Sequence, residues 1–135
     1  MAYKTIVAGD THGRSLWKIP FYNEEWDRFI FIGDYFDTHD DISPVEQLHN
    51  FKEIMQAKEK AEEEGKIVDC LIGNHDFHYF PEIGYNGISG YQSGAAKNFE
   101  FGINENRKHL KMATYVDDVL FSHAGVGEAW MERLV

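Results

Sequence analysis

Four short stretches of this chain carry residue types that could do chemistry together. They are Asp10 and His12 in GDTHG, Asp34 and Asp37 in GDYFD, Asn74 and His75 in GNHD, and His123 in SHAG. Carboxylates and imidazoles are the donors that suit Mn, Fe or Zn, in contrast to a soft thiolate site. One carboxylate can bridge two such ions, and across about 3.5–4 Å the pair holds a hydroxide and clamps phosphate oxygens. A covalent route has no comparable support. The nucleophile elbow GxSxG is absent, and Cys70 lies inside an apolar run without flanking basic residues. Alternate positions of an extended segment project the same way, so an extended GDTHG would aim Asp10 and His12 at one ion.

These groups need elements that bring them to one place. Tyr3 to Ala8 is a short β-branched segment closed by Gly9; RFIFI starts at Arg28 and closes at Gly33; KIVDCLI closes at Gly73; DDVLF leads into Ser122 and His123. Each reads as a strand that ends beside a carboxylate, amide or imidazole. Between the second and third lies a helix. Ser43 caps it with Glu46 three residues on, Pro44 fits its first turn, Val45, Leu48, Phe51, Met55 and Ala61 mark one face, and Gly65 stops it. Strand, long helix, strand predicts a crossover in a mostly parallel α/β sheet, whose ligand groups gather outside the carboxyl ends of the strands. Tyr79 to Gly94 holds four glycines and three tyrosines with neither period, which predicts a binding loop or local disorder. A helix is expected from Ala95 to Leu110, followed by a strand MATYV that turns at Asp117 and Asp118 into the fourth strand as a hairpin.

At 135 residues one domain spanning 1–135 is expected. Net charge is −10, which disfavours nucleic acid and anionic membrane surfaces as partners but leaves a phosphorylated substrate open, because bound cations invert the sign inside a pocket. The single cysteine, the amino terminus without a leader pattern and the lack of a spanning apolar run predict a cytoplasmic protein with no membrane segment.

The four blocks, in this order from Gly9 to Gly125, resemble the signature blocks of the calcineurin-like metallophosphoesterases. They are most similar to those of the protein serine/threonine phosphatases and their bacterial and phage relatives. The resemblance implies a metallophosphoesterase-like α/β sandwich with mostly parallel strands and two divalent ions, Mn first, with Fe or Zn as alternatives. It implies Asp10 and His12 on the first ion, Asp34 bridging both, and Asn74 and His123 on the second. Asn74 also stands beside the substrate. It makes His75 the general acid that protonates the leaving oxygen, oriented by Asp37, while a metal-bridging hydroxide attacks the phosphoester. A histidine titrates near neutrality, and a carboxylate behind it fixes its tautomer, so the chemistry of that pair agrees. A phosphorylated small molecule, a nucleotide or a phosphoprotein is the expected substrate.

The chain departs from the family pattern in two places. Thr38 and His39 stand where the phosphatase branch has Arg and Gly, so Arg14 is expected to grip phosphate instead. The further histidine block usual in the family does not follow SHAG, which predicts a chain truncated at its carboxyl side with an incomplete second metal site. EAWMERLV reads as a helix exposing Trp130, Met131, Leu134 and Val135, a surface for self-association. The rival function is a catalytically incomplete metal-binding or assembly module. Ordinary roles are expected for His49 and His109 on helices, for Asp40 and Asp41 at a helix start, and for Asp76 as a hydrogen-bond acceptor from loop backbone. His39 and His78, each just after a block, fit either a solvated loop or the site.

Overall fold

The computed structural model describes residues 3–85 and 87–124; the expected helix in EAWMERLV lies outside the described residues. Four strands, β1 (Thr5–Ala8), β2 (Arg28–Phe31), β3 (Ile67–Leu71) and β4 (Leu110–Lys111), form an all-parallel sheet in that order. The connections hold α1 (Lys18–Asn23), α2 (Pro44–Glu63), α3 (Asn74–Phe77) and α4 (Ala96–Glu105). When strands add in one direction through crossovers of one hand, every helix falls on one face of the sheet. The side chains obey this. Phe29, Phe31, Val68 and Cys70 share a core with Phe21 of α1, Phe51, Ile54 and Met55 of α2, and Phe99 and Ile103 of α4. The alternate residues Ile30 and Leu71 point to the other face, where Val116 and Phe121 meet them.

That second face is covered by a hairpin, β5 (Ala113–Val116) and β6 (Val119–Ser122), paired antiparallel with Val116 opposite Val119. Its turn is the expected one: Asp117 and Asp118 have φ of 48° and 65°, as a two-residue type I′ turn requires. A charge cluster around the buried Asp69 ties the hairpin to the sheet through Arg28. Arg28 Nε donates to Asp69 at 2.6 Å, Lys111 Nζ donates to its other oxygen at 2.7 Å, and Arg28 Nη2 reaches Thr114 Oγ1 at 3.0 Å. The architecture is an α/β sandwich, as expected.

The capping box of α2 is formed, with Ser43 Oγ accepting from Glu46 N and Ser43 N donating to Glu46 Oε2. Three sequence expectations change. Val45 is not on the core face; it sits in the first turn and is 77 % exposed, while Phe51, Ile54, Met55 and Ala61 carry the packing. The helix expected to reach Leu110 ends at Glu105. There the Asn106 amide bonds Gly102 O, and a 3-10 turn at Arg107–His109 delivers Leu110 to pair with Cys70. The short helix α1 had not been anticipated; Pro20 and its brevity hide it, and burial of Phe21 against Trp17 and Trp26 holds it. Among the described residues no helix is long and apolar enough to cross a membrane.

Candidate metal centre

The strand-ending glycines have a steric reason. Gly33 has φ of 105°, and a Cβ there would lie 2.4 Å from Gly73 N; a Cβ on Gly73 would lie 2.1 Å from Asp34 Oδ1. Without those methyls the ends of β2 and β3 come together, and the Asp34 carboxylate lies over the start of α3, where Oδ1 accepts His75 N–H at 2.9 Å. Asp76 fastens the two loops as expected. Its buried carboxylate accepts from Asp34 N, Gly73 N and Tyr35 N at 2.7–2.8 Å. Burial pushes the Asp76 pKa well up, against the opposing pull of these three N–H groups. His12, Asp34 and Asp37 all hold positive φ, at 47°, 59° and 65°, a backbone region that non-glycine residues occupy at a cost and that clusters at functional sites.

GDTHG is therefore not extended at its end. Instead of strand alternation, a left-handed residue turns the His12 ring back, and His12 N donates to Asp34 O at 2.8 Å. The turn brings His12 Nε2 to 3.7 Å from Asp10 Oδ2 and 3.6 Å from Asp34 Oδ2. The hairpin brings His123 over the end of β2, with Nε2 3.3 Å from Asp34 Oδ2 and Nδ1 3.6 Å from Asp10 Oδ1. One atom of the Asn74 amide lies 2.9 Å from His123 Nε2 and 3.3 Å from both Asp34 oxygens. Asp10, His12, Asp34, Asn74 and His123, drawn from four separate loops, thus face one another.

The protonation of this group can be read from its partners. His12 Nδ1 contacts Phe36 O at 2.6 Å, and His123 Nδ1 contacts Ile32 O at 2.9 Å. A carbonyl only accepts, so each Nδ1 carries its proton and each Nε2 of a neutral ring presents a lone pair. Those lone pairs face the oxygens of Asp10 and Asp34. Two imidazole nitrogens, two carboxylates and an amide gathered this closely form a donor set that fits divalent cations.

A second constellation lies beside the first, with the His12 and His75 ring centroids 5.5 Å apart. The side chain of Asp37 has no exposure. Its Oδ2 receives His75 Nδ1 at 3.0 Å and His78 Nε2 at 2.7 Å; its Oδ1 receives the Tyr79 hydroxyl and Gln92 Nε2. Gln47 of α2 accepts from Asp37 N at 3.0 Å and from Gln92 Nε2 at 3.0 Å. Burial, then the hydrogen bond to Asp37, raises the Tyr79 pKa, which keeps the phenol a donor.

Sequence reasoning left His78 undecided and missed Tyr79, Gln92 and Gln47. The signal was the spacing in HDFH: residues three apart share one face of a helical turn, so His75 and His78 both reach Asp37. The glycine-rich segment is docked by tyrosine rings, with Tyr79 and Tyr91 stacked at 5.1 Å and Tyr85 against Tyr91 at 4.8 Å. Arg14 makes no hydrogen bond to either cluster among the described residues. Its Nε donates to Asp40 at 2.6 Å, and it lines an open groove of about 650 Å³ with Lys18, His49 and Asn50. His39 is exposed, and His109 pairs with Glu59.

Two groups of residues able to hold a metal ion, Asp10–His12–Asp34 and Asp37–His75–His78, stand at the carboxyl edge of an α/β sheet, the architecture of a phosphoesterase site. The chain belongs to the calcineurin-like phosphoesterase family, whose model matches residues 3–133. No curated protein and no solved structure matched it.

Proposed function

We propose that this protein is a divalent-metal-dependent phosphoester hydrolase of the serine/threonine phosphatase-like branch. Asp10, His12 and Asp34 hold one ion, and Asp34, Asn74 and His123 hold the second, with Mn preferred and Fe or Zn able to substitute. The observation that carries this reading is the pair of Nε2 lone pairs on His12 and His123, each ring fixed by a backbone carbonyl, both facing Asp34 Oδ2 and that of His12 also facing Asp10. Ions bound there supply Lewis-acid charge for the phosphoryl group and acidify water.

The chain's own residues do the rest. Water forms a bond to phosphorus and releases a proton to solvent as the ester P–O bond breaks, and the doubly protonated His75 ring delivers its Nε2 proton to the departing oxygen. Asp37 accepts from Nδ1 of that ring and so leaves Nε2 to meet the leaving group. The short turn of α3 places Asn74 and His75 side by side, so one residue faces the ions and the next faces the substrate. Arg14, oriented through its Nε by Asp40, meets the phosphate. The substrate is a phosphorylated small molecule, a nucleotide or a phosphoprotein. The buried thiol of Cys70, pushed up to about 12 by desolvation, suits a reducing cytoplasm and takes no part in the chemistry.

The test is turnover of p-nitrophenyl phosphate and bis(p-nitrophenyl) phosphate by the purified chain with Mn²⁺, Fe²⁺ or Zn²⁺, alongside metal analysis. Metal-stimulated turnover supports the hydrolase, and in His75→Asn, with bound metal retained, turnover of phenyl phosphate should fall far more than that of p-nitrophenyl phosphate. Bound metal without turnover under any ion leaves a metal-binding module.

A further inference from the structure

We propose that His78, Tyr79 and Gln92 are positioning residues for the proton donor, acting through Asp37. The inference rests on the reading of His75 as general acid. A buried carboxylate must be paired, and one partner would serve to orient an imidazole. Asp37 has four side-chain donors, two on each oxygen, and its own N–H is held by Gln47. The four come from α3 and the two residues after it, and from the segment before α4. They meet behind His75, which of the two side chains on Oδ2 is the one with any exposure: 15 % against none for His78, and none for Asp37 itself. Four donors leave the carboxylate one orientation, so Oδ2 stays in line with His75 Nδ1.

The segment carrying Gln92 also presses on the pair. A Cβ on Gly90, where φ is 86°, would lie 3.4 Å from Asp37 Cβ and 3.7 Å from His75 Cε1. The Gly90 backbone therefore covers the dyad, and Gln92 joins it two residues later through Asp37, Gln47 and the N–H bond to the Tyr79 oxygen. The same three groups, Asp37, His75 and His78, could instead hold a metal ion. The geometry favours hydrogen bonds: both ring nitrogens address one oxygen at 2.7–3.0 Å, the ordinary N–H···O range.

The experiment compares Tyr79→Phe, His78→Phe and His78→Gln in the full chain with Mn²⁺, on phenyl phosphate and p-nitrophenyl phosphate. Phenoxide needs a proton to leave, whereas p-nitrophenoxide leaves nearly unaided. Loss of positioning should lower kcat about tenfold on phenyl phosphate and less than about twofold on p-nitrophenyl phosphate. KM and bound metal should stay unchanged, and His78→Gln, which keeps a donor near the same place, should recover most of the loss. Ring ¹⁵N spectra give a readout independent of turnover: once its Nε2 proton has been given up, the neutral His75 ring should be a single Nδ1–H tautomer in the parent chain and a mixture in Tyr79→Phe. Equal losses on both esters, an unchanged His75 tautomer, or departure of an ion from the His78 variants would overturn the proposal. Should His78→Phe fail to fold, Tyr79→Phe decides alone. Absence of turnover in the parent chain would defeat the hydrolase reading, while the tautomer spectra would still decide whether Asp37 is held by these donors.

Discussion

His12 and His123 commit Nδ1 to the carbonyls of Phe36 and Ile32, and in doing so turn their Nε2 lone pairs toward Asp34. Asp34 is the residue on which both rings converge, at 3.6 and 3.3 Å. Asp34→Asn is therefore expected to weaken Mn²⁺ binding by more than about a hundredfold, a loss that calorimetric titration measures directly. His75 faces a different test. Its replacement by Asn should lower kcat on phenyl phosphate by about a hundredfold or more while the bound metal stays in place. Asp76 is the contrasting case: a carboxylate in the same loop whose oxygens are filled by three backbone N–H groups, so it serves geometry and not coordination.

The elements matter through where they stop. β2 and β3 end in glycines whose missing side chains let Asp34 lie across the next loop, so the site depends on the ends of strands as much as on their cores. Gly73→Ala would place a methyl 2.1 Å from Asp34 Oδ1. The expected outcome is a folded protein with the cooperative unfolding of the parent but Mn²⁺ affinity reduced at least about tenfold, as for other disturbed ligand supports. The N-terminus of α2 makes the control. Ser43→Ala removes half of a formed capping box and should destabilise by about 1 kcal/mol in denaturant unfolding, with turnover unaffected.

For the molecule as a whole, the two faces of the sheet are held by different forces. The helix face is aromatic and aliphatic packing, whereas the hairpin face depends in part on Asp69 between Arg28 and Lys111. Burial raises the Asp69 pKa, but the hydrogen bonds from Arg28 and Lys111 outweigh it and hold the group below its ordinary value of 3.8. A carboxyl depressed in the folded state contributes stability that is present above the ordinary value and is lost as pH falls through the depressed one. Acid unfolding should accordingly steepen below about pH 4, and Asp69→Asn should flatten that limb in a denaturant series across pH. Metal acts on the same equilibrium. Mn²⁺ at a hundred times its Kd should stabilise the chain by about 2.7 kcal/mol, and a chelator should reverse the shift in a thermal melt.

Read alone, the sequence determined the α/β crossover, the cap of α2 and the hairpin turn at Asp117 and Asp118, and it named candidate residues for the site, because these depend on local periodicity, turn chemistry and short motifs. It did not determine how they meet. Strand alternation was the wrong route for His12, which arrives through a left-handed turn, and Val45 kept helical spacing without joining the core. The gathering of His78, Tyr79, Gln92 and Gln47 on Asp37 was decided by tertiary structure, since hydrogen bonds between residues up to 55 positions apart leave no periodic trace in the chain. Proximity of that kind exists only after parallel strands have set their loops side by side.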